Sequence, residues 1–181
     1  MDGMARAIRA IDRINDSVGR VVAWLTLATV LICGTVVFLR YAFGSGYVWM
    51  QELYIWTHAL VFMLAAGYAY LRNVHVRVDI FYASAKPRTK AWIDLFGVTF
   101  LLLPWLVLIA WTGWRYVGYS WQTGEISVQS NGMPAIYILK SSIVIFPVLL
   151  GLQGLAWGGR CLMVIAGREP PAVERISGPL G

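Results

Sequence analysis

Residues 21–39, 53–71, 95–114 and 141–159 are apolar runs of about 20 residues each, free of Asp, Glu, Lys and Arg. A helix of that length crosses a ~30 Å hydrocarbon core. Lipid offers backbone N–H and C=O groups no partners, so a spanning segment is either a helix or a strand of a closed barrel. These continuous runs lack the alternation of barrel strands. The pattern therefore predicts an all-α fold, a polytopic membrane protein with four transmembrane helices.

The flanking segments complete the outline. Ile8, Ile11, Asn15 and Val18 recur at helical spacing with Arg6, Arg9, Arg13 and Arg20 at their sides, so residues 1–20 read as a short N-terminal amphipathic helix lying in the membrane interface. Residues 21–165 form the four-helix membrane domain. Residues 166–181 contain Glu169-Pro170-Pro171 and Gly178-Pro179 and read as an irregular tail. Pro104 and Pro147 predict kinks in the third and fourth helices. The third helix extends apolar and aromatic past Trp114 through Tyr116, Tyr119 and Trp121. The fourth begins near Pro134, whose fixed φ suits a first turn. Helices of that length must tilt or project from the bilayer. Between them, Gln122 to Pro134 is polar and glycine-rich, the largest surface outside the membrane.

Charge then assigns an orientation. Of the fifteen Lys and Arg, twelve lie before the first run, between the second and third, or after the fourth. Only Arg40, Arg115 and Lys140 lie on the other two connections. On short connections this bias places both termini and the middle loop in the cytoplasm, N-in and C-in. The net charge of +6 thus reflects topology and anionic membrane lipids, not nucleic acid. The first run is as long as a spanning helix and is followed by Arg40, Tyr41 and Phe43 without a small-residue cleavage site, so it is expected to remain as a helix.

Candidate chemistry is sparse. Nucleophilic catalysis needs a base beside a nucleophile, but the only histidines are His58 and His75 and no G-x-S-x-G elbow occurs. A bis-histidine haem needs two intramembrane ligands, and only His58 lies in a run. Cys33 and Cys161 fall in opposite halves of the bilayer and form no C-x-x-C, so both are expected as buried thiols. No enzyme activity, cofactor or metal is expected. Glu52 opens the second helix and Arg40 closes the first, each where its charge is favoured. The expectation is that Glu52 is an interface or hairpin anchor paired with Arg40, with an ion or proton relay as the alternative. His58 suits an interhelical hydrogen bond more than a ligand role. Gly151, Gly154 and Gly158 share one face of the fourth helix and predict close approach of another helix, in this chain or a partner. Tryptophans near predicted boundaries, Trp24, Trp49, Trp92, Trp114 and Trp121, suit interfacial anchors.

At this point a family resemblance enters. Arg40-Tyr41-Ala42-Phe43, Trp49-Met50-Gln51-Glu52-Leu53, Trp56, Ala65-Ala66-Gly67 and Arg72-Asn73-Val74-His75-Val76-Arg77-Val78-Asp79 resemble the first half of the small membrane subunit of tripartite ATP-independent periplasmic (TRAP) transporters, the DctQ type. Gly124-Glu125-Ile126-Ser127, Gly132-Met133-Pro134, Lys140, Pro147 and Gln153-Gly154 resemble its second half. The resemblance implies a bacterial inner-membrane scaffold subunit. Its partners would be a large membrane subunit, which holds the substrate and sodium sites, and a periplasmic binding protein that delivers an organic acid. It also marks His75, Arg77 and Asp79 as a loop motif, read as a local hydrogen bond fixing the cytoplasmic loop, with a regulatory or catalytic role as the alternative. Gln122, Glu125, Ser127 and Gln129 become the candidate contact with the binding protein, against the plainer reading of a solvated connector. The competing functions are a self-sufficient homo-oligomeric channel or exporter using Glu52 and His58, and a membrane redox subunit.

Overall fold

In a computed structural model, which describes residues 2–75, 82 and 84–172, the chain is all-helical and has four helices long and apolar enough to cross a membrane. In chain order the elements are α1 (Asp2–Phe43), α2 (Val48–Leu64), α3 (Ala66–Leu71), α4 (Pro87–Phe96), a π-helical turn (Gly97–Leu102), α5 (Leu103–Thr123) and α6 (Ile136–Ile165). Only Ala65 separates α2 from α3, and α4, the π turn and α5 form one continuous rod. The chain is therefore a multi-pass membrane protein.

The first helix departs from expectation. Where a separate arm was expected over residues 1–20, α1 runs unbroken for 42 residues, about 63 Å of helix. Ile8, Asn15, Val22, Thr29 and Val36 fall at intervals of seven residues and face the bundle, flanked by half-buried Ile11, Val18, Leu25, Ile32 and Leu39. A strict seven-residue seam is that of a left-handed coiled coil. The polar arm and the apolar run thus share one stripe, and nothing in the sequence breaks it. Gly44, at φ 62°, ends the helix.

The third helix absorbs its proline in an unexpected way. Pro104 lacks an N–H and crowds the preceding turn, and the irregularity takes the form of the π turn just ahead of it. Gly124, at φ 57°, closes α5: its N–H meets the Trp121 carbonyl at 3.3 Å and the Glu125 N–H meets the Ser120 carbonyl at 3.1 Å, a Schellman closure. Pro134 falls two residues before α6, which instead starts after Ala135 in the left-handed region.

Helix α6 is the hub, packing against α1, α2, α3, α4, the π turn and α5. Its glycine face is internal. A Cβ at Gly154 would lie 2.8 Å from Leu102, and those at Gly151 and Gly158 would lie 3.6 Å from Leu106 and 3.7 Å from Leu95. The small residues let the third helix approach closely, an arrangement favoured in lipid. Trp24, Trp49, Trp92, Trp114 and Trp121 are exposed, but so are Trp105 and Trp111 within the third helix, so exposure does not set the expected interfacial anchors apart. Cys161 is buried, but Cys33 is exposed, because it lies off the α1 seam.

Candidate functional site

Polar side chains gather at the two ends of the bundle. At the end where α1 begins and α6 finishes, Asp12 accepts from Gln153 Nε2 at 3.0 Å and pairs with Arg160. Gln153 Oε1 accepts from Asn15 Nδ2 at 2.9 Å, and the same amide reaches the Leu149 carbonyl at 3.4 Å. Asn15 and Gln153 are both 0% exposed. The carboxylate sets the direction of the chain: it only accepts, so the Gln153 amide must point its N–H at Asp12 and its oxygen at Asn15. Gly67 completes the junction, since a Cβ there would sit 2.1 Å from Asn15 Oδ1 and 3.1 Å from the Leu149 carbonyl. One turn along, Asp16 pairs with Arg72 from the end of α3 and with Arg20 at 2.8 Å.

Beside this junction Asp94 Oδ2 accepts from Tyr82 Oη at 2.8 Å and Trp157 Nε1 at 3.2 Å, joining the third helix to α6. His75 is exposed, with its ring 5.8 Å from that of Tyr70. Its expected partners, Arg77 and Asp79, lie outside the described residues.

At the opposite end the connection between α5 and α6 folds over α2. Glu52 accepts from the Ser127 hydroxyl and from the Met133 N–H at 2.5 Å. A Cβ at Gly132 would fall 2.4 Å from Ser127 Oγ and 2.8 Å from Glu52, so glycine is needed for the loop to seat on the carboxylate. This corrects the expected hairpin anchor. Among the described residues Glu52 makes no ion pair with Arg40, which is exposed beside the exposed Tyr41. The tie comes from across the chain because the loop supplies two donors aimed at the carboxylate.

The loop residues separate into two groups. Glu125 pairs with Lys140 at 2.5 Å, and Lys140 also lies 4.1 Å over the Tyr116 ring. The hydrogen bond and charge of Lys140 hold the Glu125 carboxyl below the usual range. The Ser127 hydroxyl is committed to Glu52 and also receives the Gln129 N–H at 3.1 Å. Gln122 and Gln129 are exposed. Within α2, Trp56 is half-buried and Trp49 exposed. Thr57 meets Thr29 of α1 at 2.7 Å, whereas His58 is exposed and makes no interhelical hydrogen bond among the described residues.

The sequence reading missed the Asp12–Gln153–Asn15 chain. Asn15 was visible as a polar residue on the arm's apolar stripe, and Gln153 as the amide beside Gly154; their meeting was not. Among the described residues no three His, Cys, Asp or Glu side chains converge as a metal site requires. The arrangement can fasten helices and seat a loop.

A family model described as tripartite ATP-independent periplasmic transporters, DctQ component, matches residues 28–157. No curated protein and no solved structure matches the chain.

Proposed function

The chain belongs to the DctQ family of TRAP transporter components, and on that premise we propose that it is the scaffold subunit of a sodium-coupled importer of an organic acid. In this reading a large membrane subunit carries the substrate and sodium sites, a periplasmic protein delivers the substrate, and this chain widens the static frame in the bacterial inner membrane. The observation that carries the proposal is the family match across the membrane domain. The structure supports it in one respect: buried polar groups such as Asn15, Gln153 and Thr57 are spent on joining helices, which stiffens a frame.

The test is reconstitution into vesicles with and without the large subunit, the binding protein, sodium and candidate organic acids. Uptake is expected only when all three proteins are present. Uptake by this chain alone would instead favour a channel or exporter.

The distribution of basic residues supports an N-in, C-in orientation. A cysteine at Ser84 should then resist an impermeant reagent added outside intact cells and one at Ser130 should react. The reverse pattern would invert the topology. Exposed Gln122 and Gln129, with Glu125, are among the groups on the outer connection that a periplasmic protein could touch in this orientation.

A further inference from the structure

The third helix, Pro87–Thr123, is 37 residues long, about 55 Å. Centred on a ~30 Å hydrocarbon core, it overreaches by about 12 Å at each end. Arg115 stands eight residues before Thr123, also about 12 Å from the end, so its side chain meets the membrane where hydrocarbon gives way to headgroups. Lys140 of α6, which lies over the ring of the adjacent Tyr116, marks the same level. The two cations are balanced differently. Lys140 is neutralised by Glu125, whereas Arg115 is exposed and has no carboxylate partner among the described residues. Nor does Arg115 serve a helix end, as Arg40 does in the last turn of α1, since two further turns of α5 follow it.

Arg115 closes one end of a cleft of about 520 Å³ whose other walls are Val107, Ala110, Trp111 and Trp114. Val107, Trp111 and Arg115 follow at four-residue spacing, so the cleft runs about 12 Å along the helix. It is apolar toward the middle of the bilayer and cationic at the headgroup level. Its occupant must be apolar along most of its length and anionic at one end. A second copy does not fit. Two-fold pairing through this face brings like surface to like, and α5 carries no Asp or Glu, so one unneutralised guanidinium would face another at the same depth. A phospholipid fits both parts. Its phosphate lies at the headgroup level, where the planar guanidinium donates two hydrogen bonds to it, and Trp111 and Trp114, 76% and 70% exposed, offer apolar rings to an acyl chain. We propose that Arg115 and the Trp111–Trp114 cleft form a phospholipid site, with the phosphate on the guanidinium and one chain along the cleft. The site needs no other subunit and is independent of the transport reading above.

The full chain, stripped of lipid in mild detergent, is titrated with dioleoyl phosphatidylglycerol, and bound copies are counted by native mass spectrometry. One copy is expected to bind more tightly than the rest. Dioleoylglycerol, which keeps both chains and lacks the phosphate, should not fill that site. Glycerophosphate, which keeps the phosphate and lacks the chains, should not displace the lipid from it. Arg115→Gln should weaken the tight copy about 5-fold, the scale of one basic side chain at an anionic surface, and Arg115→Lys should weaken it less, because the charge survives and the planar donor pair does not. Arg40→Gln, outside the cleft, should leave it unchanged. Equal losses from the two Gln variants, or equally tight binding of dioleoylglycerol, would overturn the site. Displacement by glycerophosphate would reduce it to an anion site and overturn the lipid assignment. A photo-crosslinker at Trp111 that captures a protein in native membranes instead of phospholipid would assign the cleft to a partner chain and overturn the proposal.

Discussion

The two ends of the bundle are fastened differently. Where α1 begins, the ties are deep: the Arg160 side chain is 7% exposed and that of Asp12 is 15% exposed, and the bonds join α1 to the hub helix over more than a hundred residues of sequence. At the loop end the ties run from a connection to the helices beneath it, and Glu125 is 35% exposed. A buried charge that loses its partner has no water to turn to, while an exposed one is screened and resolvated. The first end should therefore tolerate little change, and the second should respond gradually to substitution and to pH.

The largest expected effect is at Asp12. Asp12→Ala removes the acceptor of Gln153 Nε2 and the charge partner of Arg160, which keeps only the Pro171 carbonyl at 3.4 Å, and should destabilise the chain by about 3–5 kcal/mol, as breaking one side of a buried pair does. Thermal unfolding in detergent reads this. Replacing the pair together, Asp12→Leu with Arg160→Met, should recover much of the loss. If Asp12→Ala is neutral, the contrast between the two ends fails.

Glu52 comes next. Glu52→Ala leaves the Met133 N–H and the Ser127 hydroxyl without their acceptor and should cost about 1.5–3 kcal/mol, the range for hydrogen bonds to a charged group. The loss should be local: faster hydrogen exchange at Met133 and Ser127, with the opposite end unaffected. Equal loosening at both ends would mean the bundle responds as one unit, and the comparison would dissolve.

What the sequence revealed and what it hid follow the same division. The four spans were legible because charge is absent from each run over a full bilayer's length, a property local to the segment. The seven-residue seam from Ile8 to Val36 was equally local. Reading residues 1–20 apart from the apolar run cut across it. The true partners of Glu52 were not legible, since Ser127 and Met133 stand 75 and 81 residues away, and Arg40 was merely the nearest opposite charge. Asn15 and Gln153 are 138 residues apart. Each looks like an isolated polar residue until α1 and α6 are set side by side with Gly67 between them. The glycine face of α6 predicted a close neighbour but could not say which, because close approach depends on small size and carries no address.

The smallest effect is at Glu125. Its carboxyl titrates below the ordinary value because Lys140 stabilises the charged form. A group with a lowered folded-state pKa contributes stability that is present above its unfolded pKa and is lost as pH falls through the folded one. Wild type and Glu125→Gln should therefore differ modestly at pH 7 in hydrogen exchange at Ile136, whose N–H meets the Glu125 carbonyl at 3.0 Å. The difference should vanish as pH drops below the usual carboxylate range. A difference that grows on acidification would reverse the assigned sign.

The central claim is that this chain is a fixed frame while its partner moves. In a Cys-free background, cysteines at Ile8 and Gly159 would link α1 to α6 at the deep end, where a Cβ on Gly159 would lie 3.6 Å from Ile8 Cγ1, the position a cysteine sulfur would take. Uptake by the complete three-protein system in vesicles is then measured before and after oxidation. The account predicts that uptake is unchanged by the cross-link; uptake that stops on oxidation and returns on reduction would contradict it.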